Sequence, residues 1–424
     1  MSTAPARPRA ALLLLAYLAF VSLGLPDGLL GVAWPSIRDD FHVPTEAVGL
    51  VLTAGTVGYL TSSVLAGFTL ARIGVGALLA ASTLLASLAL SGYVLSPVLA
   101  VLVGCALLLG LGSGAVDSGL NAYAAGVFGP RHMNWLHAFF GLGVAIGPLI
   151  MTGALSAGLS WRWGYGTVAA AQFALAIAFA LTVRAWRRDS PATAGAAGAA
   201  GAAPAAAVRV PIGATLRLPA VWSGTLAFAL YVALEVSAGL WAFLLLTEGR
   251  GLGAAVAGGC VSAYWGSLFV GRVVQGVVAE RLGATLVLRV SLVGMAVGAG
   301  LIAAPGPAAL AVLGLVVVGF AAAPVFPLLT LTTADRVGAA HADRAIGLQI
   351  GASGIGAALA PAGLGVLIGN TSVQVLGSAL VVLALALIAL YEWGARRPSG
   401  RPVPAQPDGE GQTSGPVRPV VEGR

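Results

Sequence analysis

Four charged residues lie inside long apolar stretches of the sequence: Asp27, Asp117, Glu235 and Arg272. At membrane depth a charged side chain costs roughly 2.5–3.5 kcal/mol on insertion scales, so each of them needs a partner, a water-filled cavity or a function. A carboxyl group whose hydration changes with protein conformation binds a proton in one state and releases it in another. The three acids and the arginine are therefore the candidates for proton coupling.

Asp27 follows a proline and precedes a glycine, deep within the first apolar stretch. At 1.5 Å per residue it is about 16 Å along a helix from Arg38, which places it inside the hydrocarbon region. Pro26 and Gly28 weaken the helix here, and a conformational change most readily alters the hydration of a carboxylate at such a point. The alternative is a structural role, either capping the backbone freed by this break or pairing with Arg272.

Arg272 is about 13 Å along its helix from Arg281, too deep to reach the interface without snorkelling. A buried guanidinium requires an acidic partner, and the candidates are Glu235 and Asp27. Such a pair would act either as a switch that protonation releases or as a static structural pair. Glu235 is open between a coupling or substrate-binding acid and a static partner.

Asp117 and Asn121 are four residues apart and share one face of a helix, either as a polar strip along a cavity or as an interhelical clamp. His137 is about 9 Å along its helix from Arg131, so it lines the inner part of such a cavity or lies near the headgroups.

Three aromatic residues at membrane depth, Tyr264, Trp265 and Trp241, accompany these acids and amides. Sugar rings stack their apolar faces on aromatic side chains, while their hydroxyl groups need hydrogen-bond partners. We expect these aromatic residues, together with Gln349, to contact a sugar-like substrate. The alternative is that they pack within the helix bundle.

The composition indicates a protein surrounded by lipid. Only 9% of the 424 residues are charged and 58% are hydrophobic, whereas about 25% of a soluble domain is charged. The net charge of +7 does not indicate nucleic-acid binding, because the basic residues are scattered at the ends of apolar segments. Cys105 and Cys260 lie far apart within apolar stretches and match no metal-site or disulfide spacing.

The sequence contains no phosphate-binding loop, nucleophile elbow or zinc-peptidase motif. We therefore predict that the protein is not an enzyme, that it uses no cofactor or metal, and that ion gradients supply its energy.

Apolar stretches of about 20 residues, long enough to cross a bilayer, occur about twelve times. Breaks of proline, glycine and charge place them at 10–37, 47–71, 74–95, 98–127, 135–158, 163–184, 221–247, 254–280, 284–304, 307–334, 345–369 and 373–394. We predict an all-α membrane protein with an N-terminal six-helix bundle at 10–184 and a C-terminal six-helix bundle at 218–394.

The segments outside the two bundles are predicted to lie in the cytoplasm. Residues 185–217 include a low-complexity stretch rich in Ala and Gly, which predicts a flexible linker. The tail at 395–424 is rich in Pro, Gly and charge, which predicts disorder. Most of the basic residues fall on the side of the N-terminus, so the positive-inside rule predicts that both termini and the linker are cytoplasmic in a bacterial inner membrane.

The two halves also resemble each other in sequence, as expected for parallel six-helix repeats of an alternating-access transporter. Three pairs of segments correspond: residues 67–74 (GFTLARIG) with 276–283 (GVVAERLG), 27–31 (DGLLG) with 235–239 (EVSAG), and 143–148 (GVAIGP) with 356–361 (GAALAP).

The first pair of segments resembles the loop signature Gly-x-x-x-[Asp/Glu]-Arg-x-Gly of the major facilitator superfamily. The glycines let two helices approach closely, and the acid and arginine form a cytoplasmic latch that one conformer breaks. The resemblance implies the major facilitator fold and a gate formed by Arg72, Glu280 and Arg281. Ala71 replaces the acid in the first copy, which weakens that latch.

Three segments resemble the fucose-galactose-glucose:proton symporter group within this superfamily: residues 24–31 (GLPDGLLG), 117–121 (DSGLN) and 136–143 (LHAFFGLG). The resemblance implies that Asp27 exchanges the coupling proton and that Asp117 helps to bind and couple a sugar. It also implies that His137 contacts the sugar, although the fucose permease has an amide at that place.

The sequence therefore favours a secondary active transporter that imports a small polar solute, a sugar, together with protons by alternating access. Residues 143–148 partly resemble the Gly/Pro signature of antiporters, so a proton-driven exporter of drugs or metabolites is the first alternative. A non-transporting membrane sensor or scaffold is the alternative of another class. We expect a monomer whose partners are the small-molecule substrate, protons and the lipid bilayer.

Overall fold

A computed structural model describes residues 10–128, 130–186 and 210–396. These residues form helices joined by short loops, with no strand among them. In lipid the backbone polar groups must be paired within the chain, and a helix does this locally. The core of the predicted linker and nearly all of the predicted tail lie outside the described residues.

Eleven helices of the described chain are long and apolar enough to cross a membrane. One of them, Thr45–Leu95, has 51 residues, about twice the length that a bilayer requires. It turns at Gly74, where φ is 76° and ψ is 167°, so it supplies two spans. The helices therefore account for the predicted twelve spans.

The N-terminal half contains five helices: α1 (Ala10–Phe41), α2 (Val48–Leu95), α3 (Leu99–Val127), α4 (Pro130–Ser156) and α5 (Trp161–Thr182). The C-terminal half begins with a short helix, α6 (Ile212–Leu216), which lies within the predicted linker. It continues with α7 (Pro219–Leu244), α8 (Ala254–Leu282), α9 (Ala284–Ala303), α10 (Ala308–Ala322), α11 (Val325–Leu331), α12 (Thr333–Val337), α13 (Ala339–Asn370) and α14 (Val375–Ala395).

The Pro-rich segment of the predicted tenth span interrupts its helix. α10 ends at Ala322 and α11 begins at Val325, with Pro324 between them. Proline has no N–H to donate and its ring crowds the preceding turn, so the helix breaks here. Pro324 therefore accounts for the break between α10 and α11.

Two corresponding turns repeat the same backbone geometry. Gly74 within α2 and Gly283 between α8 and α9 have φ values of 76° and 83°. A Cβ atom is strained in this region of φ, which glycine adopts freely. These glycines close the matching segments 67–74 and 276–283, so the sequence repeat is also a structural repeat.

The helix ends define two faces of the molecule. The terminal face includes both ends of the described chain, Ala10 and Arg396, and the turns at Gly74 and Gly283. The opposite face includes the last turn of α1, which contains Arg38, and the loop from α1 to α2.

The two halves meet near the opposite face. Arg38 donates to Glu248 of the C-terminal half at 2.8 Å and to Thr45 at 2.7 Å. Close to this ion pair, a Cβ added at Gly49 would lie 2.5 Å from the Ala362 Cβ, which shows how tightly α2 and α13 cross. Among the described residues, no hydrogen bond or ion pair joins the halves at the terminal face. The described hydrogen bonds and close contacts between the halves therefore lie toward the opposite face.

Candidate functional site

The two matching acidic segments meet where α1 crosses α7. A Cβ added at Gly31 would lie 2.8 Å from the Leu240 carbonyl oxygen and 3.2 Å from that of Gly239. Glycine at these positions allows the backbones to approach closely. Asp27 and Glu235 each precede their glycine by about one helical turn. They therefore lie at corresponding places, one turn from the crossing toward the terminal face.

Asp27 is the single exposed residue in a buried stretch of α1. Every other residue from Ser22 to Trp34 is buried, whereas the Asp27 side chain is exposed. Among the described residues, no hydrogen bond or ion pair engages its carboxylate. A helix that is covered on all sides except at one acid presents that acid to an internal opening. Its side chain therefore borders an opening beside α1, within electrostatic range of Tyr59 on α2.

Glycines fix the position of α1 against α4. A Cβ at Gly24 would lie 2.2 Å from the Phe140 carbonyl oxygen, and one at Gly143 would lie 2.0 Å from the Val21 carbonyl oxygen. Because these contacts join backbone to backbone, side-chain movement cannot relieve them. The helix that carries Asp27 is therefore held rigidly by α4, which carries His137.

Asp117 forms the centre of a polar cluster in the N-terminal half. Its carboxylate accepts from the Tyr59 hydroxyl at 2.6 Å and from the Asn121 amide nitrogen at 3.0 Å. The side-chain oxygen of Asn121 is buried and has no hydrogen-bond partner. Among the described residues this oxygen is therefore an unused acceptor inside the cluster.

His137 is exposed and contacts Phe20 edge-on, with ring centroids 5.4 Å apart. It lies within electrostatic range of both Asp117 and Arg272. His137 therefore stands between the acidic cluster of one half and the cation of the other.

Glu235 has a partner on its own helix. Tyr231, four residues earlier, donates a hydrogen bond to the Glu235 carboxylate, and the Tyr264 hydroxyl donates to the Glu235 backbone oxygen at 2.7 Å. Arg272 is half-buried and within electrostatic range of Glu235, yet no ion pair within 4 Å engages it among the described residues. A direct contact pair of Arg272 with Glu235 or Asp27 is therefore not formed in this conformer.

Arg272 and Trp265 reach the interface from α8. A Cβ at Gly141 of α4 would lie 3.7 Å from an Arg272 guanidinium nitrogen, so this cation approaches the N-terminal half. Trp265 is half-buried and packs so closely on Gly239 that an added Cβ would lie 2.1 Å from its ring.

Three of the predicted substrate contacts are fully buried in this conformer. The Trp241 indole donates to the Pro361 carbonyl at 3.1 Å, and Gln349 accepts from Thr333 at 3.0 Å. The Tyr264 hydroxyl is engaged by Glu235, as described above. These bonds give Trp241, Gln349 and Tyr264 structural partners in this conformer.

The predicted gate residues lie at the terminal face. Arg72 and Arg281 are exposed at the ends of the matching loop segments. The side chain of Glu280 lies outside the described part of the structure. The latch itself stays a prediction.

Sequence reasoning does not identify Tyr231 or the ion pair between Arg38 and Glu248. Tyr231 could have been found, because it is four residues from Glu235 on the same helical face. The ion pair joins residues 210 positions apart, and no local signal predicts such a contact.

Comparison with known proteins gives the same architecture. A point mutant of the nucleoside transporter NupG matches with a TM-score of 0.70 at 16% sequence identity, covering 90% of this chain and 100% of that chain. NupG without that mutation matches at 0.65 and 16%, covering 91% and 100%. A point mutant of the E. coli fucose:proton symporter FucP matches at 0.60 and 13%, covering 92% and 100%.

No curated protein sequence matches the chain significantly. The structural matches, at such low identity, establish the fold. The sequence model of the Major Facilitator Superfamily matches residues 16–361 and 262–421. Because these matches extend over both halves, the protein is a multi-pass membrane transporter that belongs to the Major Facilitator Superfamily.

Proposed function

We propose that the protein is a proton symporter for a small polyhydroxylated solute, a sugar or a molecule that contains one. The observation that carries the proposal is Asp27, an exposed carboxyl group that has no partner among the described residues and interrupts a buried stretch of α1. A permanently charged group at this depth is costly, and binding a proton removes the charge. Asp27 would therefore be protonated in the conformer that faces the proton source and deprotonated in the conformer that faces the cytoplasm.

The positive-inside rule assigns the terminal face to the cytoplasm. The described conformer would then face inward, the state in which substrate and proton leave. The crossing of α1 and α7 at Gly31 and Gly239 closes the other side of the cleft. Alternating access would require the halves to rock about the central site, parting at this crossing while the terminal face closes.

The substrate site would be built mainly from the N-terminal half. Asp117 and the free Asn121 oxygen can accept hydrogen bonds from hydroxyl groups, while His137 and Arg272 can donate them. Trp265 offers the half-exposed aromatic face on which a sugar ring stacks. The structurally similar NupG and FucP are described as a nucleoside transporter and a fucose:proton symporter, and a nucleoside also contains a sugar ring.

The gate would form from the matching loop segments. When the terminal face closes, Arg281 with Glu280 in one half and Arg72 in the other would approach the ends of neighbouring helices. Ala71 leaves the first copy without its acid, so closure would depend mainly on the second copy. The protein would work as a monomer in the bacterial inner membrane, with residues 185–217 linking its halves.

The test is transport by the purified protein in proteoliposomes under an imposed pH gradient. Labelled hexoses, deoxy-sugars, polyols and nucleosides are offered outside, with dyes as candidates for export. The proposal predicts uphill accumulation of a sugar or nucleoside that collapses when a protonophore is added. Gradient-driven extrusion of a dye, with no accumulation of any hydroxylated solute, would establish the exporter instead.

A further inference from the structure

A cavity lies on the side of the C-terminal half. It has a volume of about 730 Å³ and runs between α8, α9 and α10. We name it the lateral groove and define it by Val270, Val278, Val290, Gly294, Val317 and Phe320. Helix α10 packs against both α8 and α9, which contact each other little, so the groove opens between those two helices.

The lining of the lateral groove is suited to hydrocarbon. Apart from Ser267 and Ser291, every residue that lines it is apolar. The Ser267 hydroxyl is satisfied by the Tyr264 carbonyl at 2.7 Å. Val270 and Val290 on the two walls are 49% and 63% exposed, although both belong to membrane-spanning helices. In a bilayer these surfaces meet acyl chains.

The lateral groove is separate from the candidate transport site. Val270 and Arg272 are two residues apart on α8, which places them on nearly opposite sides of the helix. Arg272 approaches α4 across the cleft, whereas Val270 lines the groove. A ligand in the groove would therefore not occupy the site that contains Asp117 and Arg272.

A cation stands at the terminal-face end of the lateral groove. Arg281 follows Val278 by three residues and therefore continues the same face of α8. It is exposed, and no ion pair within the described residues engages it. The neighbouring Arg289 differs, because Glu392 binds it at 2.7 Å and 2.9 Å. Arg281 is thus the cation available at this mouth.

We infer that the lateral groove binds one acyl chain of an anionic phospholipid whose phosphate contacts Arg281. Apolar grooves with a basic residue at the cytoplasmic end recognise anionic headgroups in this way. The inference also links lipid to conformation, since Arg281 belongs to the predicted gate. A phosphate bound to Arg281 competes with its contacts in the closed gate and favours the conformer open at the terminal face.

Photolabelling tests the inference without measuring transport, so its outcome is independent of the proposed function. The full-length protein is placed in phosphatidylcholine nanodiscs with a trace of phosphatidylglycerol that carries a diazirine on one acyl chain. After irradiation, labelled peptides are located by mass spectrometry. We expect labelling of α8 and α9 residues that line the groove, with competition by unlabelled phosphatidylglycerol and none by phosphatidylcholine.

Three variants make the test specific. Arg281→Gln removes the headgroup contact and should reduce groove labelling several-fold. Val290→Trp fills the groove from an exposed position and should do the same. Arg72→Gln removes the corresponding arginine of the N-terminal half and should leave groove labelling unchanged. The inference would be overturned if a phosphatidylcholine probe labelled the groove equally, or if labelling persisted in both Arg281→Gln and Val290→Trp. Either result would mean that the groove makes only ordinary contact with bulk lipid.

Discussion

Asp27 and Glu235 are carboxyl groups at corresponding places in the two halves, yet their surroundings differ. Each precedes a glycine of the α1–α7 crossing by one turn. Asp27 is exposed and unpartnered among the described residues, whereas Glu235 is half-buried, bonded to Tyr231 and near Arg272. The two corresponding positions therefore have different environments. The difference supports the proposal that Asp27 exchanges protons while Glu235 is held in place.

The helix packing of the two halves is more similar than the surroundings of their acidic residues. The largest predicted effect tests this similarity of packing. Gly143 of α4 and Gly356 of α13 correspond in sequence, and an added Cβ would lie 2.0 Å and 2.3 Å from carbonyl oxygens of α1 and α7. Overpacking costs about 1–3 kcal/mol or more, and a backbone clash cannot be relieved by a rotamer change. Gly143→Leu and Gly356→Leu should both abolish the monodisperse peak in gel filtration.

The control for this prediction lies on the same helix. A Cβ at Gly153 of α4 would meet nothing within 4 Å, so Gly153→Leu should elute like the wild type. Normal folding of Gly143→Leu together with failure of Gly356→Leu would mean that the halves are packed by different rules.

The next prediction compares the tyrosine hydroxyl groups that bind Asp117 and Glu235. Tyr59→Phe removes a 2.6 Å bond to the Asp117 carboxylate, and hydrogen bonds to charged groups contribute about 1.5–3 kcal/mol. If this bond orients Asp117 for substrate, KM should rise about tenfold or more while accumulation at saturating substrate persists. Tyr231→Phe, the matched change beside Glu235, should raise KM less. Equal effects in uptake assays would remove the distinction between the halves at the substrate site.

Glu235→Gln should have a modest effect. The amide oxygen can still accept from Tyr231, and the variant cannot exchange a proton. If Glu235 is only held in place, the accumulation ratio should stay within about twofold of the wild type, as expected for a substitution that keeps its hydrogen bond. Loss of accumulation with substrate exchange intact would move coupling to the C-terminal half.

The smallest effect is expected at the opposite face. The ion pair of Arg38 and Glu248 joins the halves but is partly exposed, and such pairs contribute about 0.2–1 kcal/mol. Arg38→Gln should therefore shift the conformational equilibrium by a factor of roughly two to five. Spin labels at Leu159 and Thr371 would report this shift as a larger population at long distance.

A bridge within one half provides the control. Arg162 binds Asp40 inside the N-terminal half, so Arg162→Gln should leave that distance distribution unchanged. An equal broadening in both variants would mean that the Arg38 pair supports local structure instead of closing the two halves.

The fold was predictable because membrane spans follow from local composition. Apolar length and the breaks of proline, glycine and charge predict where the helices lie. The matching segments 67–74 and 276–283 predict the repeated turns. The boundary predicted between 71 and 74 corresponds to the turn at Gly74, whose backbone is not helical. The candidate site was predictable to the extent that rare charges in apolar helices are conspicuous, as for Asp27 and Asp117.

The rest of the site depends on contacts that sequence does not encode locally. Tyr59 and Asp117 are 58 residues apart, and Trp241 meets the Pro361 carbonyl 120 residues away. The mid-membrane position of Trp241 suits a ligand contact as well as a structural bond, so depth alone does not decide between them. Three-dimensional packing determines which aromatic residues face the cleft and which hold helices together.

The most direct test of the central claim compares two transport modes of Asp27→Asn in proteoliposomes. The amide keeps the shape of the protonated acid but never releases a proton, so the loaded carrier can still change conformation. We predict that proton-driven accumulation is abolished while exchange of labelled substrate between equal pools remains measurable. Accumulation at the wild-type level by Asp27→Asn would contradict the account and transfer the coupling role to Asp117 or Glu235.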